Sequence, residues 1–237
     1  MNRRTVRGVA FDLEGTILSV EEIHFGGFIR AAGEFGLTIS FAELRAQIPH
    51  AIGGGDLVIA QGLARFIGGG VNADQILACK RRHYWEALNG TDIEPRPGWR
   101  EVFGQITGTL RLPVAIGSLT PRDQAEVLLE RSGVGELISS GRTVLLEDVS
   151  RRKPAPDVWH RTAELLGIDP ADQLVFEDSP AGVEAARAAG CMVVVVPYHR
   201  FPELLYQLVA SGAHRLFMDW RELNLLPLIE NLEAESL

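Results

Sequence analysis

Asp12 and Glu14 stand two positions apart and run straight into Gly15-Thr16, just after an apolar stretch. Further along come Gly117-Ser118, then Lys153 before the Pro154-Ala155-Pro156 turn, then the adjacent pair Glu177-Asp178. Carboxylates, a hydroxyl and an ammonium are side chains on which nucleophilic and acid–base chemistry draws. Each piece alone also has a plainer reading. Asp12 and Glu14 would pass for a solvated strand end, sharing one face if the strand persists that far. Glu177-Asp178 before Ser179-Pro180 would pass for a helix start, Ser118 for a helix cap and Lys153 for a surface cation. What sets the group apart is that all of its members arrive in order at strand ends.

Those strands are apolar runs without strict alternation: Val6 to Leu13, Leu112 to Ile116, Leu174 to Phe176 and Met192 to Val196. Such runs suit strands buried on both faces of a parallel sheet. Between them the spacing predicts helices over Arg122 to Arg131, Asp157 to Leu166 (stopping at Gly167) and Pro180 to Ala189. The last has Pro at its first position and Gly190 just past its end, the usual punctuation of a helix. Strands alternating with helices predict an α/β fold, a Rossmann-like parallel sheet with right-handed crossovers. Ligand sites of such sheets lie beyond the carboxyl ends of the strands, where the polar residues above fall.

Residues 19–97 break this rhythm. Helical patterns run around Glu22 to Phe35, Phe41 to Gln47, Asp56 to Phe66 and Ala73 to Leu88, separated by the turns Gly53-Gly54-Gly55 and Gly68-Gly69-Gly70. The expected organisation is an α/β core of residues 1–18 and 98–237 with an inserted α-helical domain, 19–97.

At 237 residues, 46% apolar and 23% charged, the chain is long enough to bury a sizeable core. Its net charge of -8 argues against general affinity for nucleic acid or anionic membrane. The basic runs Arg3-Arg4 and Arg151-Arg152-Lys153 are short. No run nears the roughly 20 apolar residues of a membrane span, and no secretory signal pattern opens the chain. A cytoplasmic protein, monomeric or a small homo-oligomer, is expected. Cys79 and Cys191 cannot form a disulfide framework, and neither is read as having a Cys or His at metal-site spacing.

The motifs Asp12-Leu13-Glu14-Gly15-Thr16, Gly117-Ser118, Lys153-Pro154-Ala155-Pro156-Asp157 and Glu177-Asp178-Ser179-Pro180-Ala181-Gly182 together resemble those of the haloacid dehalogenase superfamily. The match spans essentially the whole chain. It is most similar to the subgroup with a helical cap after the first motif, which contains β-phosphoglucomutase and many sugar-phosphate phosphatases. His24, twelve residues after Asp12, fits that group's cap-hinge histidine and by resemblance contacts substrate. The resemblance implies phosphoryl transfer to a small phosphorylated metabolite, Mg²⁺ dependence and an aspartyl-phosphate intermediate. Asp12 would be the nucleophile, Glu14 the general acid/base, Ser118 (with Gly117) the phosphoryl contact and Lys153 the balancing cation. The Mg²⁺ ligands implied are the Asp12 carboxylate, the Glu14 backbone carbonyl and Asp178, with Glu177 in support.

One position departs from the pattern: most phosphatase and mutase relatives carry Asp where this chain has Glu14. Dehalogenases and phosphonatases of the family have no acid there, so Glu14 favours phosphate esters. The enolase-phosphatase branch also resembles this chain in Asp-x-Glu-Gly-Thr, but not in the third and fourth motifs. The extra methylene carries the carboxyl outward by about 1.5 Å, and a shift of that size can cost on the order of 10²-fold in rate. Two readings stay open: adaptation to another leaving-group position, or a weak enzyme. A mutase would need a second phosphate anchor, yet Gly53-Gly54-Gly55-Asp56 lacks Arg or Lys. Lys80, Arg81, Arg82 and His83 could supply one, although a solvated helix face explains each of them. Tyr84 and Trp85 read as packing residues of the insertion. A non-catalytic phosphate-binding domain is the alternative from another class.

Overall fold

The structure is a computed structural model, describing residues 4–48, 51–52 and 55–235. In chain order, strand β1 (Gly8–Phe11) is followed by helices α1 (Glu21–Glu34), α2 (Phe41–Gln47), α3 (Gly55–Ile67) and α4 (Ala73–Asn89). Then come α5 (Trp99–Gly104), β2 (Val114–Gly117), α6 (Arg122–Arg131), α7 (Val134–Leu137), β3 (Thr143–Val144) and α8 (Asp157–Leu166). The chain closes with β4 (Gln173–Glu177), α9 (Pro180–Ala189), β5 (Met192–Val195), α10 (Pro202–Ala210), β6 (Arg215–Leu216) and α11 (Leu225–Ala234).

The chain divides into two compact units, one of residues 1–19 and 93–237 and the other of 20–92. The first holds a parallel sheet in the order β3-β2-β1-β4-β5-β6. Every residue of β1, β2, β4 and β5 is buried, as the unbroken apolar runs require of strands covered on both faces. Phe11 stacks on Phe176 across β1 and β4 with centroids 5.1 Å apart, and Trp99 and Trp220 close around Phe11 at 5.9 and 5.8 Å. The fold class read from the sequence is the one observed.

The helices predicted at Arg122–Arg131, Asp157–Leu166 and Pro180–Ala189 form with those bounds. The first strand is shorter than predicted, ending at Phe11. Glu14 therefore shares no strand face with Asp12; it lies in a tight turn where Ile17 and Leu18 N–H groups both donate to Leu13 O. Elements not predicted are the two-residue edge strands β3 and β6 and the helices α5, α7, α10 and α11.

In the second unit the regular elements among the described residues are α1 to α4. Their core includes Phe28, Leu44, Ile59, Leu63 and Ile76. Tyr84 is fully buried, as a packing residue should be, and Trp85 is half-buried. Of the two glycine turns, Gly53 and Gly54 lie outside the described residues. No helix among the described residues is long and apolar enough to cross a membrane.

Candidate active site

Three backbone bonds set the geometry by extending the sheet ladder past its strands. Asp12 N–H donates to Phe176 O at 3.0 Å, Ser118 N–H to Val144 O at 2.9 Å, and Val196 N–H to Glu177 O at 2.9 Å. The residues after β1, β2 and β5, and the last residue of β4, are thus held at one edge of the sheet, the carboxyl edge where open α/β sheets place their ligands.

Lys153 joins them. Its Nζ donates to Asp12 Oδ1 at 2.7 Å, Glu177 Oε1 at 2.6 Å and Gly117 O at 3.2 Å, so its three protons have three acceptors. The side chain is 7% exposed and its ammonium lies 4.6 Å from the Trp159 ring. It is therefore no surface cation. Burial lowers the Lys153 pKa, but Asp12 and Glu177 outweigh that and hold it above its ordinary value. Burial pushes Asp12 up, Lys153 opposes it, and Glu177 and Glu14 add to the rise, leaving Asp12 at about 7.

Glu177 is 0% exposed and both its oxygens are engaged. Lys153 takes Oε1, while Oε2 accepts from Asp178 N–H, Ser179 N–H and Ser179 Oγ. Helix α9 is capped by Ser179, whose Oγ accepts from Gly182 N–H at 3.1 Å. The acidic pair is thus not the cap. Two glycines are required here. A Cβ on Gly182 would lie 1.7 Å from Glu177 Oε1. Gly15 has φ +79°, which disfavours other residues, and a Cβ on it would lie 2.1 Å from Asp178 Oδ2.

Ser118 does not cap α6, whose N-cap is Pro121. Its Oγ lies 2.8 Å from Thr120 Oγ1 and accepts from Thr120 N–H at 3.2 Å. Thr120 Oγ1 in turn donates to Glu14 Oε1 at 2.7 Å. Thr120 was missed in the sequence; Ser118-x-Thr120, two hydroxyls directly after a strand, was the available signal. A second missed residue is the buried Arg96. Its Nη1 donates to Gly15 O at 2.5 Å and Val196 O at 2.6 Å, and its Nη2 to Pro197 O at 3.0 Å, tying the loop after β1 to the loop after β5.

Asp12, Glu14, Gly117, Ser118, Lys153, Glu177 and Asp178 are accordingly all in one unit, linked directly or through Thr120. Ligand atoms of Asp12, Glu177 and Asp178 lie within 4.8 Å of one another. Only Asp12 and Glu177 of these acids touch the buried Lys153 ammonium, and Glu14 adds a further carboxyl nearby, so the cluster has excess negative charge. All of its donors to a cation are oxygens, the set that suits a hard divalent ion.

His24 lies in the helical unit, and it is not alone. Lys80 Nζ is 3.4 Å from His24 Nδ1 and donates to Asp56 Oδ2 at 2.8 Å; His24 Nε2 is 3.4 Å from Asp56 Oδ1. Lys80 is 2% exposed, with its ammonium 5.3 and 4.8 Å from the Phe28 and Tyr84 rings, so the solvated-face reading is wrong for it, as it is for the buried His83. Burial lowers the His24 pKa, and the Lys80 charge lowers it further.

Buried acids around one ammonium at the carboxyl edge of a parallel sheet make this an α/β enzyme of the open-sheet class. The family of haloacid dehalogenase-like hydrolases matches residues 6–190; the chain belongs to that family. Protein CbbY (plasmid) of Cupriavidus necator is 30% identical over 206 residues, covering 81% of this chain and 78% of the relative. Fructose-1-phosphate phosphatase YqaB of Escherichia coli is 30% identical over 190 residues, covering 80% of this chain and 95% of the relative. A solved HAD hydrolase of family IA, variant 3, from Entamoeba histolytica shares the fold with a TM-score of 0.81 at 18% identity, covering 97% of this chain and 100% of that one.

Proposed function

We propose that the protein is a phosphatase that hydrolyses a small phosphorylated, sugar-like metabolite through an aspartyl-phosphate at Asp12. The observation that carries this reading is the buried Asp12–Lys153–Glu177 contact, with a second acid, Glu14, held beside it by Thr120. Similarity to a named fructose-1-phosphate phosphatase supports the substrate class.

An Asp12 carboxylate oxygen bonds to phosphorus while the bond from phosphorus to the leaving oxygen breaks, and Glu14 gives that oxygen its proton. Glu14 then takes a proton from water as the water oxygen attacks phosphorus. The bond to Asp12 breaks and phosphate leaves. Ser118 donates to a phosphoryl oxygen. Lys153 opposes the rise that burial gives the Asp12 pKa and fixes the direction of its carboxylate, and Glu177 holds Lys153 in turn. The oxygen-rich donor set fits Mg²⁺: the Asp12 carboxylate, the Glu14 carbonyl and Asp178 would hold it, with Glu177 in support. Bound there, Mg²⁺ supplies neutralisation of the phosphoryl charge as the anionic nucleophile approaches. We assign His24 a substrate contact, supported by its fit to the family's cap histidine.

The test is phosphate release from a panel of sugar phosphates. Activity should vanish with chelator and return with Mg²⁺, and be lost in Asp12→Asn with the fold intact. Release by Asp12→Asn at the wild-type rate would overturn the nucleophile. Isomerisation of a sugar phosphate that depends on a bisphosphate would establish the phosphomutase instead. Binding of vanadate without turnover on any substrate would establish the non-catalytic reading.

A further inference from the structure

Helix α4 carries Cys79 and His83 four residues apart, one turn on the same face. The expectation that neither cysteine has a partner at metal-site spacing fails here, because Cys-x-x-x-His is a ligand spacing once it falls on a helix. The third group comes from α1, which ends in Glu34. Cys79 Sγ lies 3.0 Å from Glu34 Oε2 and His83 Nε2 lies 2.6 Å from Glu34 Oε1. The sulfur, the nitrogen and a carboxylate oxygen all lie within 4.8 Å of one another. Ligands around a tetrahedral Zn²⁺ sit roughly 3.3–3.8 Å apart, given bond lengths of about 2.0–2.3 Å, so modest side-chain motion would close the set on one ion.

Two further features suit a cation. The other imidazole nitrogen, His83 Nδ1, is 3.2 Å from Glu86 Oε2; a carboxylate in that place fixes the ring and its tautomer, as it does for metal-ligating histidines. Glu34 also sits in the last turn of α1, where the helix dipole disfavours an anion and that turn holds no basic residue to offset it. In the structure Arg82 does so instead. Its Nη2 lies 2.5 Å from both Glu34 oxygens and 3.3 Å from Cys79 Sγ, while its side chain is 53% exposed and can swing away. The positive charge that this site demands is thus carried by a displaceable side chain.

We propose that Glu34, Cys79 and His83 form a binding site for a thiophilic divalent cation of the Zn²⁺ type, with Arg82 as the internal competitor for it. Soft sulfur and imidazole ligands distinguish the site from the all-oxygen cluster around Asp12, and its existence is independent of the proposed phosphatase activity. Ion binding displaces the thiol proton to solvent; Arg82 moves off Glu34 as the ion arrives.

Cobalt titration of the reduced full-length protein tests this, because a thiolate–Co²⁺ charge-transfer band in the near ultraviolet cannot come from oxygen ligands. One equivalent of Co²⁺ should produce the band, and Zn²⁺ should abolish it. Cys79→Ser should remove the band, whereas Cys191→Ser and Asp12→Asn should keep it. Glu86→Gln should weaken Zn²⁺ binding about 10-fold. Arg82→Ala, at an exposed position, should tighten it. Absence of the band in wild type and Arg82→Ala, or its survival in Cys79→Ser, would overturn the site. Unchanged Zn²⁺ affinity in Arg82→Ala would overturn the competition.

Discussion

Thr120 Oγ1 donates a 2.7 Å hydrogen bond to Glu14 Oε1, and this single contact fixes the direction of the next. A hydroxyl has one proton. With that of Thr120 committed to Glu14, the 2.8 Å contact between Ser118 and Thr120 must be donated by Ser118. Ser118 therefore points its proton at Thr120 while Glu14 is ionised. To donate to a phosphoryl oxygen, Ser118 must turn its proton away from Thr120, while Thr120 stays on Glu14 Oε1 and a protonated Glu14 keeps its own proton for the leaving oxygen. The longer side chain of Glu14 gains a partner on the loop after β2.

The first prediction concerns that link. Thr120→Val should lower kcat by up to about 10²-fold, and Thr120→Ser should restore most of it. Steady-state kinetics on a sugar phosphate decides; a kcat in Thr120→Val equal to wild type would leave the link without catalytic use.

Glu14→Asp shortens the acid by one methylene and draws it away from Thr120. The ranking of substrates across a phosphate panel should change. An unchanged ranking together with an unchanged rate would show that the extra methylene is neutral.

Gly182→Ala sets two effects against each other. Helix propensity would favour alanine by about 1 kcal/mol, but its Cβ would stand 1.7 Å from Glu177 Oε1. Crowding a packed interior costs typically 1–3 kcal/mol, and here it also displaces the acid that holds Lys153. The clash should win, and thermal unfolding should show a lower Tm. A raised Tm would mean that Glu177 yields easily.

Arg96→Met should destabilise the protein by roughly 2–4 kcal/mol, since it strips a charged donor from three buried carbonyls. Urea unfolding is the measurement: the midpoint should fall at constant slope. A midpoint within error of wild type would show that water replaces the guanidinium.

Lys80→Met should raise the pKa of His24, followed by NMR of its ring protons. Burial, the larger cause of its depression, remains, but the neighbouring cation that disfavours imidazolium is gone and Asp56 is left to favour it. A midpoint that stays or falls would contradict the close Lys80–His24 arrangement.

Local signals made the helices legible. Ser179, Pro180 and Gly190 bracket α9, and Gly167 closes α8, each with a chemical reason within a few residues. The edge strands β3 and β6 escaped because two residues carry no periodicity. Asp12 and Ser118 were readable because strand ends announce themselves, and Lys153 because the Pro154-Ala155-Pro156 turn follows it. Thr120 and Arg96 were not, since their roles rest on contacts to Glu14, Gly15, Val196 and Pro197 that spacing does not encode. The pairing of Glu34 with Cys79 and His83 likewise depends on how α1 packs on α4, information absent from either helix alone.

The position of β1 in the sheet bears on how the chain is made. The strand that leads into Asp12 is made well before its partners, since it pairs with β2 and β4, residues 114–117 and 173–177. Its apolar Gly8–Phe11 segment must therefore wait, with both edges bare, through the synthesis of the whole helical unit and half the core. Conditions that slow translation should enlarge the aggregating fraction more than conditions that slow folding of the helices, and a chaperone that shields a short extended apolar segment would have its longest task there.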